Sequence, residues 1–312
     1  MSLLEEMAIH FRIGRADLLR IVRTAPKRYK QYTIPKRSGG VRTIAQPSRE
    51  LKELQRYIMA TKLLKFPIHN TATGYVKNRN ILYNAECHKH SRVILKLDFQ
   101  DFFPSITVED WDFLLSRYRP EEIERNDSQL YRQILFWGRG LPVPKCLSIG
   151  APTSPMLSNI VLFPLDTRLS RAATTTKVAY TRYADDITVS GESIEDVRQF
   201  ENRLIRILDS MKSPKLTLNY KKRGIYLKGE KRMVTGLKIT PIGDVSIGRD
   251  RKRLVSAMVH KVSLGESDAD HLNYLKGMLG FCLANEPAFV SRLRIKYGNA
   301  VLDRVLRFSP PS

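Results

Sequence analysis

The chain has 312 residues, 42% of them hydrophobic, enough for a sizeable core in one large or two modest domains. With 53 Lys and Arg against 31 Asp and Glu, its net charge of +22 asks for a polyanionic partner: a nucleic acid, or else a ribosomal or membrane surface. No apolar run nears the roughly 18–20 residues that span a bilayer, and the N-terminus carries acids where a secretion signal carries bases. Three scattered cysteines, Cys87, Cys146 and Cys282, fit a reduced cytoplasmic protein without a zinc site.

Leu3, Leu4, Met7, Ile9, Leu18, Leu19, Ile21 and Val22 recur at helical spacing and predict two short helices broken near Gly14. From Arg23 to Arg42 there are seven basic residues and no acid. Tyr32 to Ile44, with Gly39-Gly40 at its middle, predicts two strands joined by a glycine turn, a basic hairpin. Leu51, Leu54, Tyr57, Ile58 and Leu64 mark an amphipathic helix over 48–65. Asn84-Ala85-Glu86-Cys87-His88 reads as a packed loop, since one His and one Cys are too few ligands for a metal.

Val93-Ile94-Leu95-Lys96-Leu97-Asp98 is an almost continuous apolar strand of the kind buried on both faces, and it ends in a carboxylate. Residues 107–140 predict helices with polar loops, including Trp111 and Trp137. Gly150 to Asn159 holds a glycine, two prolines and small hydroxyls and runs into an apolar helix at Ile160, Val161 and Leu162; such a turn lets backbone approach a base pair closely. Ala179 to Ser190 places Asp185-Asp186 between two short β-forming runs, which predicts a hairpin tipped with acids. In isolation such a pair is a solvated turn as readily as a cation site. Beside a strand ending in Asp98, it would gather three carboxylates at one sheet edge, as two-metal phosphoryl transfer with Mg²⁺ requires. Ser193 caps an amphipathic helix through Ile194, Val197, Phe200, Leu204, Ile207, Leu208 and Met211. Ser213 to Arg253 has 12 Lys and Arg against 3 Asp and Glu, a folded basic surface. Helices are predicted near 251–262, 268–284 and 288–296, and Pro310-Pro311-Ser312 reads as a disordered tail.

Leu97-Asp98-Phe99-Gln100-Asp101-Phe102-Phe103, then Gly150 to Asn159, then Tyr183-Ala184-Asp185-Asp186 resemble, in order, the first catalytic, the substrate-binding and the third catalytic motifs of reverse transcriptases. The resemblance implies an α+β right-hand polymerase fold with fingers, a palm of antiparallel sheet plus helices, and a helical thumb. Residues 1–30 would be an N-terminal helical cap, 31–92 fingers, 93–240 palm with a fingers insertion over about 107–148, and 241–312 thumb. Asp98 and Asp185 would bridge two Mg²⁺ ions, with Asp186 in support and the Phe99 carbonyl completing one shell. Lys36 and Arg42 would grip the triphosphate of the incoming dNTP, and Gly150, Ser154 and Asn159 would line the nucleotide site. Phe103, five residues after Asp98, would exclude a ribose 2′-hydroxyl; core packing is the plain alternative for a Phe near a strand end, and the motif context favours the gate. Leu216 to Lys222 resembles the fourth motif, in which Lys222 would protonate the leaving pyrophosphate; a solvated Lys pair is the plain alternative. Arg232 to Leu237 resembles the primer grip. One departure stands out: the family's usual Gln before Gly150 is Ile149, so that contact is absent or made elsewhere, with lower activity or altered metal or fidelity preference expected.

Asn84, Ala85 and His88, and again Val234, Thr235 and Gly236, resemble marks of the bacterial retron branch. That branch implies copying of a cognate structured non-coding RNA, primed from a guanosine 2′-hydroxyl, into a branched RNA-linked single-stranded DNA (msDNA). It also implies host RNase H, an effector or toxin partner, a role in anti-phage defence, and no membrane. The chain is too short for an intron maturase or endonuclease module, and no further ordered acids announce an RNase H. A group II intron or diversity-generating enzyme, a non-catalytic RNA binder on the same scaffold, and a ribosome-associated basic protein are the rival readings.

Overall fold

The computed structural model describes residues 2–36, 39–117 and 127–309. Pro310 to Ser312 and the middle of the 107–140 stretch lie outside the described residues. The N-terminal segment forms α1 (Leu3–Phe11) and α2 (Arg15–Thr24), and the break falls where Arg12 turns to φ 53 just before Gly14. A basic hairpin follows, β1 (Tyr29–Pro35) and β2 (Val41–Pro47), in antiparallel register with Tyr32 opposite Ile44. Gly39 and Gly40 both take positive φ at its turn, which a side chain would resist. Next come α3 (Arg49–Thr61), α4 (Ile81–Glu86), β3 (Val93–Asp98), α5 (Val108–Arg117), α6 (Ser128–Leu135), α7 (Ser154–Val161) and α8 (Phe163–Thr175). The central hairpin is β4 (Ala179–Tyr183) and β5 (Asp186–Gly191), followed by α9 (Ile194–Ser210) and β6 (Gly224–Leu227). A small antiparallel sheet of β7 (Arg232–Val234), β8 (Leu237–Ile239) and β9 (Val245–Ser246) leads into α10 (Arg249–Ser263), α11 (Ala269–Asn285), α12 (Pro287–Tyr297) and α13 (Asn299–Arg307).

The chain divides into two compact units, one of Met1–Lys77 with Leu95–Gly224, the other of Asn78–Ile94 with Ile225–Ser312. In the first unit, α8 packs on β4, and α9 packs on α8 and β5. Leu165 and Leu169 of α8 and Val197, Phe200 and Leu204 of α9 are buried there, each contributing about 1.5–3 kcal/mol. A reciprocal capping box between Ser193 and Asp196 starts α9 where the sequence places it. The strands lie in the order β4-β5-β3-β6, and β3 is buried along nearly its whole length. That order sets the C-terminal end of β3, at Asp98, beside the N-terminal end of β5, at Asp186.

In the second unit Ala85, Ile94, Val234, Leu237 and Ile239 share one core with Val255, Leu275, Leu279, Val290 and Leu302 of the C-terminal helices. The structure departs from the sequence reading at three points. Residues 81–86 are a helix and not a loop, because the Asn80 side chain accepts from Tyr83 N at 2.8 Å and caps it. The helix after Gly150 begins already at Ser154, with Pro155 in its first turn, where a missing N–H costs nothing. A further helix, α13, occupies 299–307; its short apolar seam of Leu302 and Val305 follows Gly298 at φ 86.

Candidate active site

Asp98 closes β3 and is 4% exposed. Its backbone carbonyl accepts from Asn219 N at 2.7 Å, and Gln100 N donates to Thr217 O at 2.8 Å, so residues 217–219 run along one side of the strand end. On the other side Phe99 N donates to Asp185 O at 3.2 Å. The β4-β5 hairpin pairs Tyr183 with Asp186, leaving Ala184 and Asp185 as a two-residue turn. Asp98, Asp185 and Asp186 therefore meet at one edge of the sheet, where its two inner strands β3 and β5 lie side by side.

Charge at this edge is only partly compensated. Burial first, and then Asp98, push the Asp185 carboxyl above its usual range. Asp186 is pushed up to about 6 by burial, with Asp185 and Asp98 adding to the rise and Lys96 opposing it. Lys222, at the end of a short turn, donates from Nζ to Asp98 Oδ2 at 2.7 Å. Burial works against its charge, but the hydrogen bond and the surrounding acids outweigh that and hold its pKa above the ordinary lysine value. Asp98 Oδ1 is buried and has no partner. Among the described residues no group of three His, Cys, Asp or Glu is arranged to hold a metal ion. The acids are neighbours, with an ammonium on one of them, and do not form a closed cage.

The other expected residues fall at varied distances from this edge. Arg42, exposed on β2 opposite Ile34, is close enough to act electrostatically on Asp185. Lys36 lies at the hairpin turn, its backbone N–H donating to Gly40 O at 2.9 Å, and makes no described contact with the acids. Phe103 is half-buried and meets Phe102 edge-on at 5.2 Å, while Phe102 stacks on Phe99. Gly150 takes φ +127, and a Cβ there would lie 2.9 Å from Ala45 O. Next to it, Ile149 O accepts from Ala45 N at 2.9 Å, so the position that departs from the family anchors the basic hairpin through its backbone. Ser154 is buried with its hydroxyl unpartnered, as are the hydroxyls of Ser148 and Thr153. Asn159 donates from Nδ2 to Gly74 O at 2.8 Å and leaves Oδ1 unpartnered. Thr153 and Ser154 stand at the start of α7, with Ser148 ahead of it and Asn159 within it, and a buried oxygen without a partner is costly.

The two branch marks come together within the second unit. Asn84, Ala85 and His88 are fully buried, as is Val234. Thr235, at φ +46, donates from its hydroxyl to Ile81 O at 3.0 Å, and Gly236 follows at φ +83. Burial pushes the His88 imidazole down to about 3, so it is neutral near physiological pH.

Sequence reasoning missed the support behind the turn. Arg182 and Asp166 are both wholly buried and form a bidentate ion pair, and the unremarked segment 71–74 bonds to the Arg182 backbone. The only sequence signal was the position of Arg182 directly before Tyr183; its partner lies on another element.

The family described as "Reverse transcriptase (RNA-dependent DNA polymerase)" matches this chain over residues 34–259. Retron Ec83 reverse transcriptase of Escherichia coli is 36% identical over 286 residues, covering 90% of each chain. The chain belongs to the retron reverse transcriptases. Retron Ec86 reverse transcriptase, also of Escherichia coli, is 33% identical over 313 residues, 97% of this chain and 93% of that one. Telomerase from Candida albicans shares the fold, with a TM-score of 0.52 at 13% identity over 94% of this chain. The chain spans 57% of that telomerase. The fold is accordingly the right-hand polymerase fold, and this retron-type enzyme is an RNA-directed DNA polymerase.

Proposed function

We propose that this reverse transcriptase copies part of a cognate structured non-coding RNA into single-stranded DNA that stays joined to the RNA through a guanosine 2′-hydroxyl, as msDNA, and acts in anti-phage defence. Likeness to retron enzymes over about nine-tenths of the chain supports the branch. The observation that carries the chemistry is the meeting of Asp98, Asp185, Asp186 and Lys222 at one sheet edge.

The donor set fits Mg²⁺: hard carboxylate oxygens, two of them raised in pKa by burial and neighbouring acids, and a buried Asp98 oxygen without a partner. Asp98, Asp185 and Asp186, with the Phe99 carbonyl, would hold two such ions. When bound, the ions supply Lewis acidity toward the attacking hydroxyl and the departing pyrophosphate. Asp98 would exchange its bond with the Lys222 ammonium for the metal, freeing Lys222 to give a proton to pyrophosphate. Arg42 and Lys36 would steady the dNTP phosphates, Gly150, Ser154 and Asn159 would border the base pair, and Phe103 would exclude a ribose. In this reading residues 1–30 cap the fold, 31–92 form fingers, 93–240 palm and 241–312 thumb. Host RNase H trims the RNA, an effector or toxin protein acts with the product, and the site of action is the cytoplasm.

Expression with the native upstream DNA tests the proposal. A short branched DNA, lost in Asp185→Asn while RNA stays bound, is the expected result. Linear DNA would move the enzyme to an intron or diversity-generating branch, and DNA synthesis undiminished by Asp185→Asn would overturn the catalytic assignment.

A further inference from the structure

The turn that presents Asp185 and Asp186 is held from behind. Arg182 donates from Nε and Nη2 to the two carboxylate oxygens of Asp166, at 2.9 and 2.6 Å, and Tyr180 donates its hydroxyl to the same carboxylate at 2.7 Å. The remaining guanidinium nitrogen, Nη1, donates to the carbonyl of Ala184 at 3.0 Å. Ala184 has φ +57, the left-handed region that an L side chain resists, so this conformation persists only where surroundings impose it.

A second restraint closes on the same residue. Arg182 N donates to Thr71 O and Thr73 N donates to Arg182 O, both at 2.8 Å, which lays segment 71–74 along β4. Gly74 then passes so near that an added Cβ would stand 2.8 Å from Ala184 N. Its carbonyl is fixed in turn by Asn159 Nδ2. The Ala184 residue is thus gripped at its carbonyl by Arg182 and hemmed at its nitrogen by Gly74.

We propose that Arg182 is a positioning residue for DNA synthesis: anchored on Asp166, it holds the Ala184 carbonyl and thereby aims the Asp185 peptide and carboxylate, with Thr71 to Gly74 as the opposing jaw. This rests on the reading of Asp185 and Asp186 as catalytic. Arginine is required because three separate nitrogens of one planar fork serve a carboxylate bidentately and a third acceptor; the three donors of a lysine ammonium radiate from one nitrogen and do not reproduce that span.

Primer extension on an RNA template, with kcat and KM for dNTP measured beside the melting temperature, tests the role. Arg182→Lys and Gly74→Ala are each expected to lower kcat about 100-fold, the effect of an ångström-scale misplacement, with KM for dNTP unchanged. Tyr180→Phe removes one bond from the same network but leaves the Arg182 to Ala184 bond, and keeps its kcat even where it melts earlier. Wild-type kcat in Arg182→Lys overturns the proposal, and so does a loss in Tyr180→Phe equal to that in Arg182→Lys. If Arg182→Lys does not fold, Gly74→Ala decides by the same criterion. Asp185→Asn run in parallel separates the two levels. Activity there defeats the catalytic reading, whereas an inactive Asp185→Asn beside fully active Arg182→Lys and Gly74→Ala defeats only the positioning role.

Discussion

Asp186 shows at the scale of one residue what gathering acids at one end of a sheet costs in stability. Its folded pKa, about 6, exceeds the ordinary carboxylate value of 3.8, so the folded state binds the proton more tightly than the unfolded chain does. The favourable contribution is therefore complete below pH 3.8 and disappears as pH rises through about 6; at neutral pH the group is a liability. Asp186→Asn should stabilise the metal-free protein at pH 7 by on the order of 1–2 kcal/mol after allowing for solvent screening, and so raise its melting temperature, with the gain vanishing near pH 4. Thermal melts of both proteins across that range check it; an equal gain at all pH values would point to a cause other than charge. The carboxylates themselves were legible in the sequence because Asp98 ends a strand, Asp186 begins one and Asp185 lies in the turn just before it. The network behind them was not, since Arg182 and Asp166 are 16 positions apart on a strand and a helix, and only tertiary pairing makes them partners.

Among the elements, the basic hairpin and the Gly150 turn behave as one piece. Ala45 N donates to Ile149 O, and Gly150 has no room for a side chain against Ala45 O. Gly150→Ala meets both that contact and an unfavourable φ, and is expected to cost roughly 2 kcal/mol or more, with a matching fall in dNTP affinity as the hairpin base is displaced. Denaturant titration and KM for dNTP measure the two effects; a native-like variant would show the hairpin to be anchored elsewhere. The Ile149 departure was visible in the sequence, but its consequence was not: a backbone carbonyl serves the anchor whatever side chain stands there. Similarly, 84–88 and 234–236 could be read as marks, but nothing local announced that Thr235 reaches Ile81 across 154 positions. A helix with a clear stripe and cap, such as α9, was readable to its first residue, while its end falls at Ser210, one residue short of the Met211 that the stripe included. The α13 helix was missed although Val301, Leu302, Val305 and Leu306 recur at helical spacing and pack on the second unit's core.

For the whole molecule, the +22 charge governs how tightly RNA is held. Binding that replaces counterions along a phosphate backbone weakens linearly on a log–log salt scale, and six to ten phosphate contacts imply a loss of about 10³-fold or more between 50 and 200 mM salt. Filter binding or fluorescence anisotropy over that range gives the slope directly; a flat response would mean that base and shape contacts dominate instead. The second compact unit has a separate consequence, for the order in which the protein is made. It draws its core from Ala85 and Ile94 early in the chain and from helices reaching Val305 late in it. A ribosome delivers the first share, then all of Leu95–Gly224, before the remainder arrives. Through that interval the apolar face of α4 lacks its partners in the C-terminal helices, so newly made chains pass through a stage in which the first unit is fully delivered and the second is not. Chaperone capture, degradation and aggregation of newly made chains are expected to concentrate at that stage, and chains truncated after Gly224 should be more aggregation-prone than the full chain.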